Sequence, residues 1–104
     1  MSFLQPSVGT TLKVLVSFEV ENKTMDDCEF VCEFYTRNPG VAVAKAKSDL
    51  IRIDEKNYIA ILDTREVGMG TLFCKLSVDV PDADCPGGIR REVVRTLANV
   101  NIME

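Results

Sequence analysis

Between residues 71 and 80 every second side chain is apolar: Leu72, Cys74, Leu76, Val78 and Val80 alternate with Lys75, Ser77 and Asp79. A period of two places successive side chains on opposite faces of a strand, whereas a helix would spread the same apolar set around its circumference. The pattern recurs along the chain. Residues 11–20 set Leu12, Val14, Val16, Phe18 and Val20 against Lys13, Ser17 and Glu19, and residues 28–36 turn Cys28, Phe30, Cys32 and Phe34 inward with Glu29 and Glu33 outward. Two further runs, Leu50 to Ile53 and Tyr58 to Leu62, flank the polar Asp54-Glu55-Lys56-Asn57 as the arms of a hairpin. Residues 41–46, with Val41 and Val43, read as a short strand. The last run, 89–102, carries Val94, Ala98, Val100 and Ile102 on one face and Ile89, Val93 and Leu97 on the other.

Turn chemistry separates these runs. Residues 21–27 are mostly polar, Arg37-Asn38-Pro39-Gly40 joins a residue that presets φ to one that tolerates positive φ, and residues 81–88 are rich in Pro, Asp and Gly. Residues 64–70 form a connector with two glycines and room for one helical turn. About seven strands, with turn signals at roughly 8–12-residue spacing, predict an all-β chain: a single immunoglobulin-like antiparallel sandwich over residues 1–104. A small β-barrel is the alternative.

Composition narrows the function. The 104 residues include 12 Lys and Arg against 16 Asp and Glu, for a net charge of −4, and contain neither His nor Trp. The acidic balance argues against generic nucleic-acid binding, which needs surplus cations against phosphate. Without His the commonest general base and transition-metal ligand are both missing. The adjacent acids Asp26-Asp27 and Asp54-Glu55 sit in predicted turns, and Gly68-Met69-Gly70 opens a strand rather than a phosphate-binding helix. The chain reads as non-enzymatic, with no cofactor, metal or catalytic residue expected. No stretch has the ~20 apolar residues that span a bilayer, and residues 1–10 lack the charged start of a signal peptide. Synthesis in the cytoplasm, with no membrane partner, is the expectation.

Three groups of residues deserve a chemical reading. Cys28 and Cys32, four apart on one strand, have Cα atoms about 13 Å apart, too far for both to reach one zinc ion through bonds of about 2.3 Å. A bridge from either to Cys74 is conceivable by analogy with the inter-sheet antibody disulfide. The expected state is three buried thiols acting as small hydrophobes, plus Cys85 in a loop. The acids Asp79, Asp82 and Asp84 lack the glycine and terminal bidentate acid of a calcium loop and read as a solvated turn. Arg90, Arg91 and Arg95 form a local cationic patch; alternation puts Arg91 and Arg95 on one face and Arg90 on the other. The patch reads either as charge that blunts a solvated edge strand or as a docking edge for an acidic protein. Phe73, turned away from the Leu72, Cys74 and Leu76 set, is a further candidate interface residue.

The stretch Asn57–Val94 has Asp63-Thr64 after one strand, a glycine before the next, and a Pro-Asp-Ala-Asp loop leading into Arg90-Arg91-Glu92. It resembles small proteins found among bacteriophage and prophage structural genes. The whole layout is similar to the immunoglobulin-like modules of phage tail, baseplate and fibre proteins. The resemblance implies a structural or adaptor role in a virion, synthesis in the bacterial cytoplasm, other protein subunits as partners and a homo-oligomeric ring or trimer. It carries over no catalytic residues. The alternative function is a carbohydrate- or cell-surface-binding module, for which Tyr35 and Tyr58 are the available stacking platforms.

Overall fold

Each alternating run becomes a strand. The computed structural model describes residues 6–37 and 42–103, with the backbone alone for Leu97 and Asn99. The strands are β1 (Thr11–Val16), β2 (Glu29–Tyr35), β3 (Val43–Ala46), β4 (Ile51–Asp54), β5 (Asn57–Asp63), β6 (Gly70–Pro81) and β7 (Ile89–Ile102), with one short helix, α1 (Thr64–Val67), between β5 and β6. They form two antiparallel sheets, ordered β1-β5-β4 and β3-β2-β6-β7, packed as a sandwich. The antiparallel-sandwich expectation holds, and the barrel alternative does not. Among the described residues no strand belongs to both sheets, so the ladder does not close on itself.

The core lies where the inward faces meet. Phe30, Cys32 and Phe34 of β2, Tyr58, Ala60 and Leu62 of β5, and Leu72 to Val80 at alternate positions of β6 are all buried. Phe30 sits edge-on to both Phe18 and Tyr58, with ring centroids 5.2 Å apart in each pair. Such aromatic pairs add roughly 0.5–1.5 kcal/mol beyond their burial.

Boundaries shift where a side chain competes with the ladder. The run at 11–20 leaves the sheet after Val16: the Ser17 hydroxyl donates to the Lys56 carbonyl at 2.9 Å, and Val20 and Lys23 pair across a tight turn in which Asn22 takes φ +62. Phe18 and Val20 still pack on the core from outside the strand. The short strand begins at Val43; the predicted turn residues Asn38, Pro39 and Gly40, and Val41, lie outside the described residues. In the β4–β5 hairpin, the Asp54 carboxylate accepts from the Lys56 amide at 2.8 Å and from Asn57 Nδ2 at 3.0 Å, closing the turn from the side chain.

Asp63 and Thr64 act as a pair at the end of β5. Asp63 accepts from the Arg65 amide and so caps α1. Thr64, fully buried, donates its hydroxyl to the Thr10 carbonyl at 2.8 Å and accepts from the Gly9 amide at 2.9 Å. The helix ends at Gly68, whose φ of 82 and ψ of −171 belong to a region that side chains strongly disfavour. The Thr64 bonds fix residues 7–10, which run to the far end of β7: Ser7 bridges Met103 in parallel, with the Val8 amide 2.8 Å from the Met103 carbonyl. No described helix is long and apolar enough to cross a membrane.

Candidate functional site

The outward phases of β2, β6 and β7 build one continuous surface, because antiparallel registry lines up residues of the same phase. Phe73 stands between Tyr35 and Leu97, Lys75 between Glu33 and Arg95, Ser77 between Val31 and Val93, and Asp79 between Glu29 and Arg91. Three of the four candidate interface residues, Phe73, Arg91 and Arg95, therefore share this face. Arg90 does not. It sits on the opposite face of β7, with its guanidinium 2.6 Å from Asp82 and 3.4 Å from Glu92.

Two arginines on the shared face differ in state. Arg91 grips Asp79 with both nitrogens, at 2.7 and 3.0 Å, and holds that carboxyl below the usual carboxylate range. Arg95 has no ion pair among the described residues and faces the like-charged Lys75 across the ladder. With Asp79 and Asp82 both engaged by arginines, the acidic loop is tied to β7.

Phe73 packs against two other side chains. Tyr35 lies parallel to it at 5.5 Å between centroids, and the Arg37 guanidinium carbon lies 4.9 Å from the Phe73 centroid. A cation held over an exposed ring contributes roughly 0.5–1 kcal/mol. Sequence alone marks Phe73 as an interface candidate and Tyr35 as an exposed platform, but neither their pairing nor the part of Arg37. The signal was present in phase: Tyr35 follows Glu33 on the outward side of its strand, and only the register puts it beside Phe73.

The other proposed platform, Tyr58, is a core residue, 4% exposed. Its position follows from the inward phase it shares with Ala60 and Leu62, which overturns its use for sugar stacking. The cysteines divide as expected into buried Cys28, Cys32 and Cys74 and half-buried Cys85, all free. The antibody analogy for a bridge to Cys74 fails, because β2 and β6 are neighbours in one sheet instead of facing strands of two. Cys32 and Cys74 instead sit diagonally across the ladder, and the neighbouring Cys74 thiol, with burial, pushes the Cys32 thiol up.

Compared with known proteins, the chain matches no family model, no curated protein and no solved structure.

Proposed function

We propose that this chain is a non-catalytic structural or adaptor protein, of the phage-virion kind that residues 57–94 resemble, acting through protein–protein contacts on the outer face of its four-stranded sheet. The observation that supports the reading is the polarity of that face. Glu29 and Glu33 line β2 on one side, Arg91 and Arg95 line β7 on the other, and β6 runs between them. A two-fold axis parallel to β6 would lay the acids of one copy over the arginines of another, the self-complementary arrangement that an isologous dimer requires. Val31, Val93 and the Tyr35–Phe73 stack supply the apolar contact within that charged frame. With Tyr58 in the core, the carbohydrate alternative keeps only Tyr35, which Phe73 already covers on one side.

Light scattering of the reduced protein at low and high concentration tests the reading. The expected result is self-association in low salt that weakens as salt rises. Arg95→Glu and, separately, Val31→Lys should return the chain to monomer with an unchanged melting temperature. Equal masses for wild type and both variants at every concentration would overturn this face as the interface.

A further inference from the structure

The inner face of the four-stranded sheet carries two neighbouring cysteines, and one of them lines a groove. β1 ends one sheet and β7 ends the other, and between them runs a groove of about 360 Å³. Its lining includes Leu12 and Val14 of β1, Ala98 and Val100 of β7, and Cys74 and Leu76 of β6. Cys74 is 7% exposed, whereas Cys32 on the adjacent strand is closed off at 0%. A small molecule in the groove therefore meets Cys74 and not Cys32. Cys28 and Cys85 line no part of it.

Register brings the two thiols together. Phe34 pairs with Cys74 and Cys32 with Leu76 in the β2–β6 ladder, so the cysteines are diagonal neighbours on one face. They are chemically unlike. The Cys32 thiol beside Cys74 favours a thiolate there and draws Cys74 down, while that same contact and burial keep Cys32 protonated. A reactive cysteine needs both thiolate character and access, and Cys74 leads Cys32 in each. Diagonal neighbours have Cα atoms about 7–8 Å apart, just beyond the ~4.4–6.8 Å that a disulfide spans. Bonding them requires β2 and β6 to draw together locally, and a bond strained in this way is readily reduced.

Size selects the oxidant. The groove holds several times the ~30 Å³ that one water occupies in the liquid, so a hydroperoxide group fits within it. The slight exposure of Cys74 leaves its sulfur within reach of such a group but not of the bulkier reagents used to label thiols.

We propose that Cys74 and Cys32 form a reversible oxidation site, in which Cys74 takes oxygen from a hydroperoxide in the groove and Cys32 then closes a disulfide on it. In the first step the Cys74 thiolate attacks one peroxide oxygen. The S–O bond forms, the O–O bond breaks, and the sulfur passes two electrons to the peroxide. The departing oxygen takes up the proton that Cys74 shed and leaves as an alcohol or water. In the second step the Cys32 sulfur attacks the Cys74 sulfur. The S–S bond forms, the S–O bond breaks, and the hydroxyl leaves with the Cys32 proton as water. The site lies on the inner face of the sheet, so it stands or falls separately from the outer docking face.

The test treats the folded, reduced Cys85→Ser chain, in which Cys28, Cys32 and Cys74 are the remaining thiols, with a small excess of hydrogen peroxide. Leftover thiols are then alkylated under denaturing conditions and the peptides mapped by mass. The expected product joins the Cys32 and Cys74 peptides, leaves Cys28 alkylated, and reverts with glutathione. With Cys32→Ala added, Cys74 should stop at the sulfenic acid and be trapped by dimedone. With Cys74→Ala instead, Cys32 should remain a thiol. Ala98→Leu, which narrows the groove, should slow the bond several-fold, and the wild-type rate should hold steady in urea too dilute to unfold the chain. Absence of the Cys32–Cys74 bond, a bond through Cys28, or a dimedone adduct on Cys32 in the Cys74→Ala chain would overturn the proposal. So would a rate that climbs with the unfolded fraction, since oxidation would then need an open core rather than the groove.

Discussion

The Tyr58 hydroxyl donates a hydrogen bond to Oδ1 of Asp26, so a strand of the three-stranded sheet holds the 3-10 turn that leads into the four-stranded one. Arg52 on β4 grips the same carboxylate, Nε to Oδ1 at 2.9 Å and Nη2 to Oδ2 at 2.7 Å. The neighbouring Met25 amide donates to the Glu55 carbonyl at 3.0 Å, and the Met25 side chain is buried. One acid thus fastens the hairpin tip to the segment that crosses between sheets.

That acid makes stability depend on pH. Arg52 first, and Tyr58 second, pull the Asp26 pKa from 3.8 down to about 2. The folded state then binds fewer protons than the unfolded chain, so the contribution is complete above 3.8 and is lost as pH falls through about 2. Asp26→Asn should melt below wild type at neutral pH, and the gap should narrow across that acidic window. Melting curves that stay parallel at every pH would show that Asp26 is not the linked group.

Thr64→Val tests the stitch at the end of β5. The shape is kept and the Thr10 carbonyl still accepts from the Thr64 amide at 3.1 Å, but the Gly9 amide loses its acceptor and the Thr10 carbonyl its second donor. Losing such a hydrogen bond costs about 0.5–1.5 kcal/mol, which urea denaturation should show as a lower midpoint with the same slope. Thr64→Ser, which restores the hydroxyl, should recover most of the loss.

Thiol labelling should separate the cysteines by burial. Cys85 in the β6–β7 loop should react promptly in the native protein, and Cys28, Cys32 and Cys74 only on unfolding, since reagents need access and thiolate. Cys85→Ser should then leave native protein without a fast-reacting thiol. A second thiol reacting at the Cys85 rate would show that the β2–β6 core opens readily.

How far the sequence could be read differs by element. In β6 the alternation has no competitor, and every inward and outward residue from Leu72 to Val80 falls as the period requires. In the run from Thr11 the same period continues to Val20, but the strand stops at Val16, where Ser17 bonds the Lys56 carbonyl in the β4–β5 turn, a partner that no local pattern announces. Tyr58 could be placed in the core from phase alone; its aromatic character drew a surface role that its neighbours Ala60 and Leu62 argue against.

The candidate site was legible only in part. Arg91, Arg95 and Phe73 have the right phases, but phase is a property of one strand, and a face is a property of several.

By itself, the sequence determined the strands, their inward faces, the burial of three cysteines and the isolation of Arg90 from Arg91 and Arg95. All of these follow from local backbone geometry, in which each residue's side is set by its neighbours two places away. The tertiary structure decided which strands lie side by side. It put Tyr35 and Arg37 on Phe73, seated Cys32 beside Cys74 in one sheet, left Arg95 facing Lys75, and set β1 and β7 at the two borders of an open groove. Those relationships join residues far apart in the chain, so they depend on register and sheet order, which only the packing of the whole core fixes.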